Sequence, residues 1–454
     1  MNSWVRSRTA LRGPVQRLRG SSWRNWSGVQ TAQPVAVVQP ATEEEVIAVI
    51  RDAADRGLRV RTVGAGHSFT GAAVTDGVLV NLDRLSGVVN VDKDAMEVTF
   101  LAGTRLRDIP ALLRPHGLAL ANQGDVDPQS LAGAVSTSTH GTGLGFTGLA
   151  GMVRHLRIVT ADATVHDAGP GDPLFRYGRV AVGALGVLTE VTMSVVEGFL
   201  LSAVERAEPL DTVVAGFGQL ARQTDHFEYY WFPGTDTAHV KLNTRHPLSD
   251  RSGLPGPVPR WRSFIEDELV NNVAFEAMCE VMHAVPGTTP AVNRVSAAAL
   301  AQRRYADTAD RVFVSPRRVR FNEMEYAVPF PDAGEVLAEV RRVIDSSGIP
   351  VGFPVEVRTA AADDVPLSTA KGRPSCYVAV HRYHRDDWRE LFSVVEPVLV
   401  AAGGRPHWGK LHSLGHDRLA AVHPDLDAVG ALRATVDPEG MFRNPYTDRI
   451  FGTA

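Results

Sequence analysis

Two glycine-rich stretches limit what this chain can fold around. The first, TVGAGHSFTG, runs from Thr62 to Gly71; the second, QGDVDPQSLAGAVSTSTHGTG, runs from Gln123 to Gly143. Glycine permits positive φ and close backbone approach, so amide N–H groups in such loops can converge on an anion. Small side chains in the second stretch let a flat ring or a phosphate lie against the backbone, and Ser136, Thr137, Ser138, Thr139 and Thr142 offer hydroxyls. Two such loops in one domain point to a dinucleotide site more strongly than either does alone.

The flanking sequence places these loops. PVAVVQ (34–39) reads as a short buried strand, and Thr42 then caps a helix over EEEVIAVIRDAADRG, with acids in its first turn and Gly57 as its stop. LRVRTVG alternates as a strand, and VLVNL (78–82) and AMEVTFLAG (95–103) are further strands. TRLRDIPALLRPHG is expected to be a helix capped by Thr104 and closed by Gly117. MVRHLRIVTADATVHDAG is expected to be a hairpin turning at Ala161–Asp162, and VGALGVLTEVTMSVVEG (182–198) a glycine turn running into a strand. The first glycines follow the second strand and no helix opens directly after them. A Rossmann fold, with phosphate on a helix N-terminus, is therefore a poor match.

At 454 residues the chain exceeds one ordinary core, so at least two domains are expected. A formal net charge of −4 gives no pull toward nucleic acid. Cys279 and Cys376 are too few for a disulfide framework or a cysteine metal site, and no metal is expected. Residues 1–25 carry Arg6, Arg8, Arg12, Arg17 and Arg19 without an acid. The arginines interrupt every apolar run, so an export signal is a poor fit. They read as a flexible, solvated leader, with a membrane-surface or partner-binding arm as the alternative. No stretch is apolar enough to span a bilayer, and a cytoplasmic location, at most peripheral to the membrane, is expected.

Several motifs in order carry a family resemblance. GAGHSFTG, GDVDPQSLAGAVSTSTHGTG and VGALGVLTEVTM resemble the FAD-binding domain of vanillyl-alcohol-oxidase-type flavoproteins. MEYAVP (324–329), EVRTAAADD (356–364), CYVAVHRY (376–383), HWGK (407–410) and DPEGMFRNPY (437–446) are similar to the aldonolactone branch, which includes L-gulono- and D-arabinono-1,4-lactone oxidases and dehydrogenases and alditol oxidase. The bacterial L-gulono-1,4-lactone dehydrogenases are the nearest group. The resemblance runs from about Trp26 to Phe451 and implies an α+β fold. An FAD-binding domain of two subdomains would occupy 26–198, a sheet-and-helix cap 199–415, and a C-terminal segment, 416–454, would return to the FAD domain.

It also implies a set of site residues. From the first loop, Val63, Gly64, Ala65, Gly66, His67, Ser68 and Phe69 would contact FAD. From the second, Gly124, Asp125, Ser130, Gly133, Ser136, Thr137, Thr139, His140 and Gly141 would, joined by Gly186 and Val187. His67 occupies the position that carries the flavin through its 8α carbon in many members; taken alone, it would be read as a loop histidine bonded to a carbonyl. Glu356 and Arg358 are two apart and point to one face of a strand, so the first can accept from a substrate hydroxyl while the second donates to it. Without the resemblance the pair would be an ordinary surface ion pair. Lys410 is implied at the active site, either as a cation beside the reduced flavin or as a neutral base, with Glu356 beside it. His381, His407 and Glu325 are lesser candidates. Gly124 leans toward oxygen reaching the flavin, while the dehydrogenase likeness leans toward a cytochrome or quinone acceptor. The implied reaction is oxidation of a sugar 1,4-lactone at C2 to an ascorbate-type enediol. The rivals are a peroxide-forming alditol oxidase and a non-catalytic flavin-binding protein.

Overall fold

The computed structural model describes residues 16–17, 22–259, 272–300, 302–315 and 317–452. Most of the arginine-rich leader, including Arg6, Arg8, Arg12 and Arg19, lies outside the described residues. Regular structure begins earlier than Trp26: Trp23–Arg24 pairs with Thr31–Ala32.

Three sheets carry the chain. A four-stranded sheet holds Gln16–Arg17 (β1), Ala36–Gln39 (β2), Val60–Val63 (β3) and Val78–Asn81 (β4), in the order β1-β2-β4-β3. Between β2 and β3 runs helix Glu43–Asp55 (α1), where Thr42 accepts from the Glu45 amide and Val46, Val49, Ile50 and Ala53 form the buried face. A five-stranded sheet holds Val88–Asp92 (β5), Glu97–Leu101 (β6), Val153–Val159 (β7), Val165–Ala168 (β8) and Val187–Ser194 (β9), in the order β8-β7-β9-β6-β5.

The third sheet has eight strands: Phe199–Pro209 (β10), His226–Trp231 (β11), Thr237–Pro247 (β12), Arg303–Thr308 (β13), Phe321–Pro329 (β14), Val355–Ala360 (β15), Ser375–Tyr383 (β16) and Arg405–Pro406 (β17). Their order is β13-β10-β12-β11-β15-β16-β14-β17. One face is apolar, with Tyr229, Trp231, Met324, Val328, Val357, Val378 and Val380 all buried. Helices Ala333–Ser347 and Trp388–Ala401 pack together beside β14 and β16. The opposite face carries nearly every ionisable residue of the central strands.

Two expectations fail locally. The segment 104–117 is helical only over Ile109–Leu113, followed by one tight turn at Arg114–His116. Thr104 does not cap it; its hydroxyl donates to the Leu101 carbonyl (2.6 Å) and accepts from the Gly87 amide (2.9 Å). The second glycine-rich stretch is not loop throughout. It contains helix Leu131–Ser136 (α2), whose N-cap Ser130 accepts from the Gly133 amide.

The C-terminal segment is tied to the first sheet by buried polar groups. The Arg61 guanidinium donates to the carbonyls of Ala72, Val182, Gly183 and Phe442. Asn444 donates to the carbonyls of Gly71, Ala72 and Val74, and the Val60 amide donates to Met441. Four carbonyls satisfied by one guanidinium explain how a cation tolerates 2% exposure. Among the described residues no helix is long and apolar enough to cross a membrane.

Candidate active site

The glycine-rich stretches line one cleft from opposite sides. Val63, Gly64, Ala65, Gly66, His67 and Ser68 face Ser130, Gly133, Ser136 and Thr137, with Gly183 and Gly186 at the end. Each glycine has its own reason. A Cβ on Gly64 would lie 2.1 Å from Ser130 Oγ, so this position needs close approach to the start of α2. Gly66 has φ +70°, a left-handed conformation that side chains rarely adopt. Gly71 is under neither constraint.

The amides of Ala65, Gly66, His67 and Ser68 donate to no other described residue. These residues are half-buried, and four successive amides free to converge on a cleft fit an anionic ligand such as a pyrophosphate. The hydroxyls are less available than their number suggests. Thr137 donates to Gly133 and Thr139 accepts from Gln129. Thr142 donates to the Phe227 carbonyl and accepts from the Thr359 amide, which pins the loop to the eight-stranded sheet. Val187 is buried inside β9, and Leu188 takes the lining position beside Gly186. Gly141 lines no cavity. Its hydrogen faces the Gln123 carbonyl, which a Cβ would meet at 2.4 Å.

The cleft continues past His67 into a second cavity lined by Phe69, Gly124, Asp125, Thr139, His140, Glu323, Glu325, Arg358, His407 and Lys410. His67 and Thr137 belong to both cavities, at the junction where a bound dinucleotide would pass from phosphates to ring. The His67 imidazole stacks on Trp26, with centroids 5.2 Å apart. Burial, then the charges of Lys410 and Arg105, lower its pKa to about 4. It is therefore neutral near pH 7, with a lone pair available.

The ionisable face of the eight-stranded sheet forms the far wall, and strand alternation sets what points into it. On β14 these are Phe321, Glu323 and Glu325, and on β15 Glu356 and Arg358. Arg358 Nη2 lies 2.5 Å from Glu356 Oε1 and 3.2 Å from Asp125 Oδ1, and its Nε donates to Glu228 (3.0 Å). Arg317, which the sequence did not single out, donates to Asp125 through Nε (2.7 Å) and stands 3.3 Å from Glu356.

Two carboxylates thus share two guanidiniums, and their environments drive them apart. Burial opposes ionisation of Asp125, but Arg317 and Arg358 outweigh it and hold the carboxyl far below its ordinary range. At Glu356 burial prevails over Arg358 and Arg317, with help from Asp125 and Glu228, and raises the pKa.

Lys410 forms an ion pair with Glu323, whose pKa falls to about 2 because Lys410 and His381 outweigh the cost of burial. The carboxylate expected beside Lys410 was Glu356. Register shows the difference: Glu323 is on β14, and Glu356 stands two strands away on β15. His381 is directly opposite Glu323 on β16, with Nε2 at 3.5 Å, and its Nδ1 donates to the Pro354 carbonyl. His381 lines a third cavity, beyond Arg317, together with Glu356.

His140, Glu325 and His407 lie close enough to suggest a metal site. Three of their four ring nitrogens already have protein partners. His140 Nδ1 donates to Gly141 and its Nε2 faces Glu325 (2.8 Å), while His407 Nδ1 accepts from the Gly409 amide. The cluster reads as a hydrogen-bonded wall.

A cleft of free amides leads to paired carboxylates and guanidiniums, and likeness to known proteins shows the class, a flavin-dependent oxidoreductase. Cholesterol oxidase from Brevibacterium sterolicum has the same fold, with a TM-score of 0.81 over 98% of this chain and 99% of that one at 17% identity. An FAD-binding-domain family matches residues 34–169, and the D-arabinono-1,4-lactone oxidase family matches residues 191–450. Mycobacterium tuberculosis L-gulono-1,4-lactone dehydrogenase is 39% identical over 95% of this chain and 99% of its own length. Streptomyces alditol oxidase is 32% identical over 93% and 97%, and Bos taurus L-gulonolactone oxidase 28% over 96% and 100%. The chain belongs to the aldonolactone oxidoreductase family of FAD-dependent enzymes.

Proposed function

We propose that the enzyme oxidises L-gulono-1,4-lactone or a close relative at the C2 alcohol, with FAD attached covalently at His67. Bound FAD supplies a two-electron acceptor for the hydride leaving C2. The rest falls to the chain's own residues. Glu356 takes the hydroxyl proton and Arg358 donates to the hydroxyl oxygen. Asp125, kept ionised, anchors both arginines so that Arg358 holds its orientation. The resulting 2-keto lactone would tautomerise to an enediol. The ion pair with Glu323 supports Lys410 as the cation for the charge of reduced flavin rather than as a neutral base. Asp125, Glu228, Glu323 and Glu356 each lie beside an arginine or lysine, which suits an uncharged polyhydroxylated substrate.

The observation that carries this reading is geometric: Glu356 and Arg358 stand together on the cavity wall, Asp125 is paired with Arg358, and Arg317 is paired with both carboxylates. The raised pKa of Glu356 and the lowered pKa of Asp125 agree with a proton acceptor beside a fixed charge. The neutral His67 imidazole at the cleft junction supports covalent attachment, because an uncharged ring nitrogen is the nucleophile such a bond needs.

Anaerobic addition of L-gulono-1,4-lactone should bleach the flavin fully, and acid precipitation should leave the yellow colour in the pellet. Bleaching by alditols but not by lactones would favour the alditol oxidase reading. Colour released wholly to the supernatant would refute the covalent link.

A further inference from the structure

The third cavity extends the sheet wall beyond the Glu356–Arg358 pair, and its two sides differ in kind. The floor is the ionisable sheet face. The roof comes from helices Phe275–Ala284 and Thr289–Ala299 and their flanks, contributing Phe275, Met278 and Leu300. Register gives the floor a row across the strands: Glu356 on β15 is directly opposite Tyr230 on β11, and Tyr230 is directly opposite His239 on β12. Adjacent strands are about 4.8 Å apart, so Tyr230 is the next side chain along from Glu356 on the side away from Lys410.

Tyr230 is half-buried, lines this cavity and stacks near His239, with centroids 5.1 Å apart. Its hydroxyl makes no hydrogen bond to any described residue, although Glu205, Glu228 and Glu356 are all close enough to act on it. Burial, then these carboxylates, raise its pKa, so the phenol keeps its proton. A phenol that keeps its proton and faces the cavity without a protein partner is a ready donor to a ligand hydroxyl.

We infer that Tyr230 binds a hydroxyl on the exocyclic arm of the substrate, and that the enzyme thereby prefers six-carbon over five-carbon 1,4-lactones. The inference rests on the lactone reading above and adds the substrate class. With the C2 hydroxyl on Glu356 and Arg358, the arm on C4 reaches along the row toward Tyr230. A six-carbon lactone carries a dihydroxyethyl arm, with hydroxyls for the floor and C–H groups for the apolar roof. A five-carbon lactone carries only a hydroxymethyl group and leaves the Tyr230 hydroxyl unmatched.

The test is stopped-flow reduction of the intact holoenzyme, wild type and Tyr230→Phe, by L-gulono-1,4-lactone and by the five-carbon 1,4-lactone of the same ring configuration. Wild type should favour the six-carbon lactone. Tyr230→Phe keeps the ring and its packing, and FAD content confirms the fold. It should lower kcat/KM on the six-carbon lactone by roughly three- to tenfold, mostly through KM, with a much smaller effect on the five-carbon lactone, so that selectivity collapses. Equal losses on both lactones, no loss on either, or a wild type without preference would overturn the inference. A wild-type flavin that neither lactone bleaches would instead overturn the lactone reading, and the arm site with it.

Discussion

The two walls of the cleft solve different problems with different materials. The FAD-side wall is made of backbone. Its specific features are free amides at 65–68, a left-handed Gly66 and the close approach of Gly64 to Ser130. The cap wall is made of side chains, with Glu323, Glu325, Glu356 and Arg358 projecting from alternate positions of neighbouring strands and partnered by Lys410, His140 and Arg317. A wall that binds a cofactor can be rigid and uncharged. A wall that moves a proton needs titratable groups whose affinities the surroundings can tune.

That contrast can be broken from either side. The largest effect on FAD content should come from Gly64→Val. Its Cβ would sit 2.1 Å from Ser130 Oγ and 2.9 Å from Ser130 Cβ; the Oγ could rotate away only by giving up its bond from the Gly133 amide, and the Cβ is fixed to the backbone. Overpacking costs about 1–3 kcal/mol, and here it would also shift the amides that face the cofactor. FAD content, read as the ratio of flavin to protein absorbance, should fall at least tenfold, while the ion pairs of the cap wall stay intact. Full FAD loading in this variant would show that the close approach is dispensable.

A smaller, graded effect should appear with pH. Glu356 works as an acceptor only when ionised, and burial raises its pKa above the ordinary glutamate value. The rate of flavin reduction should therefore rise with pH through an apparent pKa above the ordinary glutamate range and fall on acidification. Asp125, held far below its ordinary range, should not titrate in that window. Glu356→Gln should flatten the profile. A wild-type profile already flat down to pH 4 would mean that Glu356 is not the acceptor.

The two walls also differed in how far the sequence revealed them. Glycine loops are contiguous, so TVGAGHSFTG and the Gln123–Gly143 stretch stood out, as did the α1 cap at Thr42. The EVR spacing placed Glu356 and Arg358 on one face, and the structure pairs them. The same alternation in NEMEY puts Glu323 on the face of Glu325, but only the strand order shows that Lys410 meets Glu323 rather than Glu356. Arg317 and Glu228 carried no local signal. They reach Glu356 and Arg358 only through the pairing of β11 with β15 and the approach of Arg317 to Asp125, which are long-range facts. Arg61 was hidden for the same reason, since its partners lie as far away as Phe442. Thr104 looked like a helix cap because its neighbours are helix formers, but tertiary hydrogen bonds claimed its hydroxyl first.

The division of labour between the walls is most directly tested by measuring FAD content and flavin reduction by L-gulono-1,4-lactone in the same preparation of Glu356→Gln. The amide is nearly isosteric, and the FAD-side wall is untouched. Full FAD loading should accompany a reduction rate lower by about 10²–10⁴-fold, the usual contribution of a positioned proton acceptor. A rate within a few-fold of wild type, or FAD lost in proportion to activity, would contradict the account.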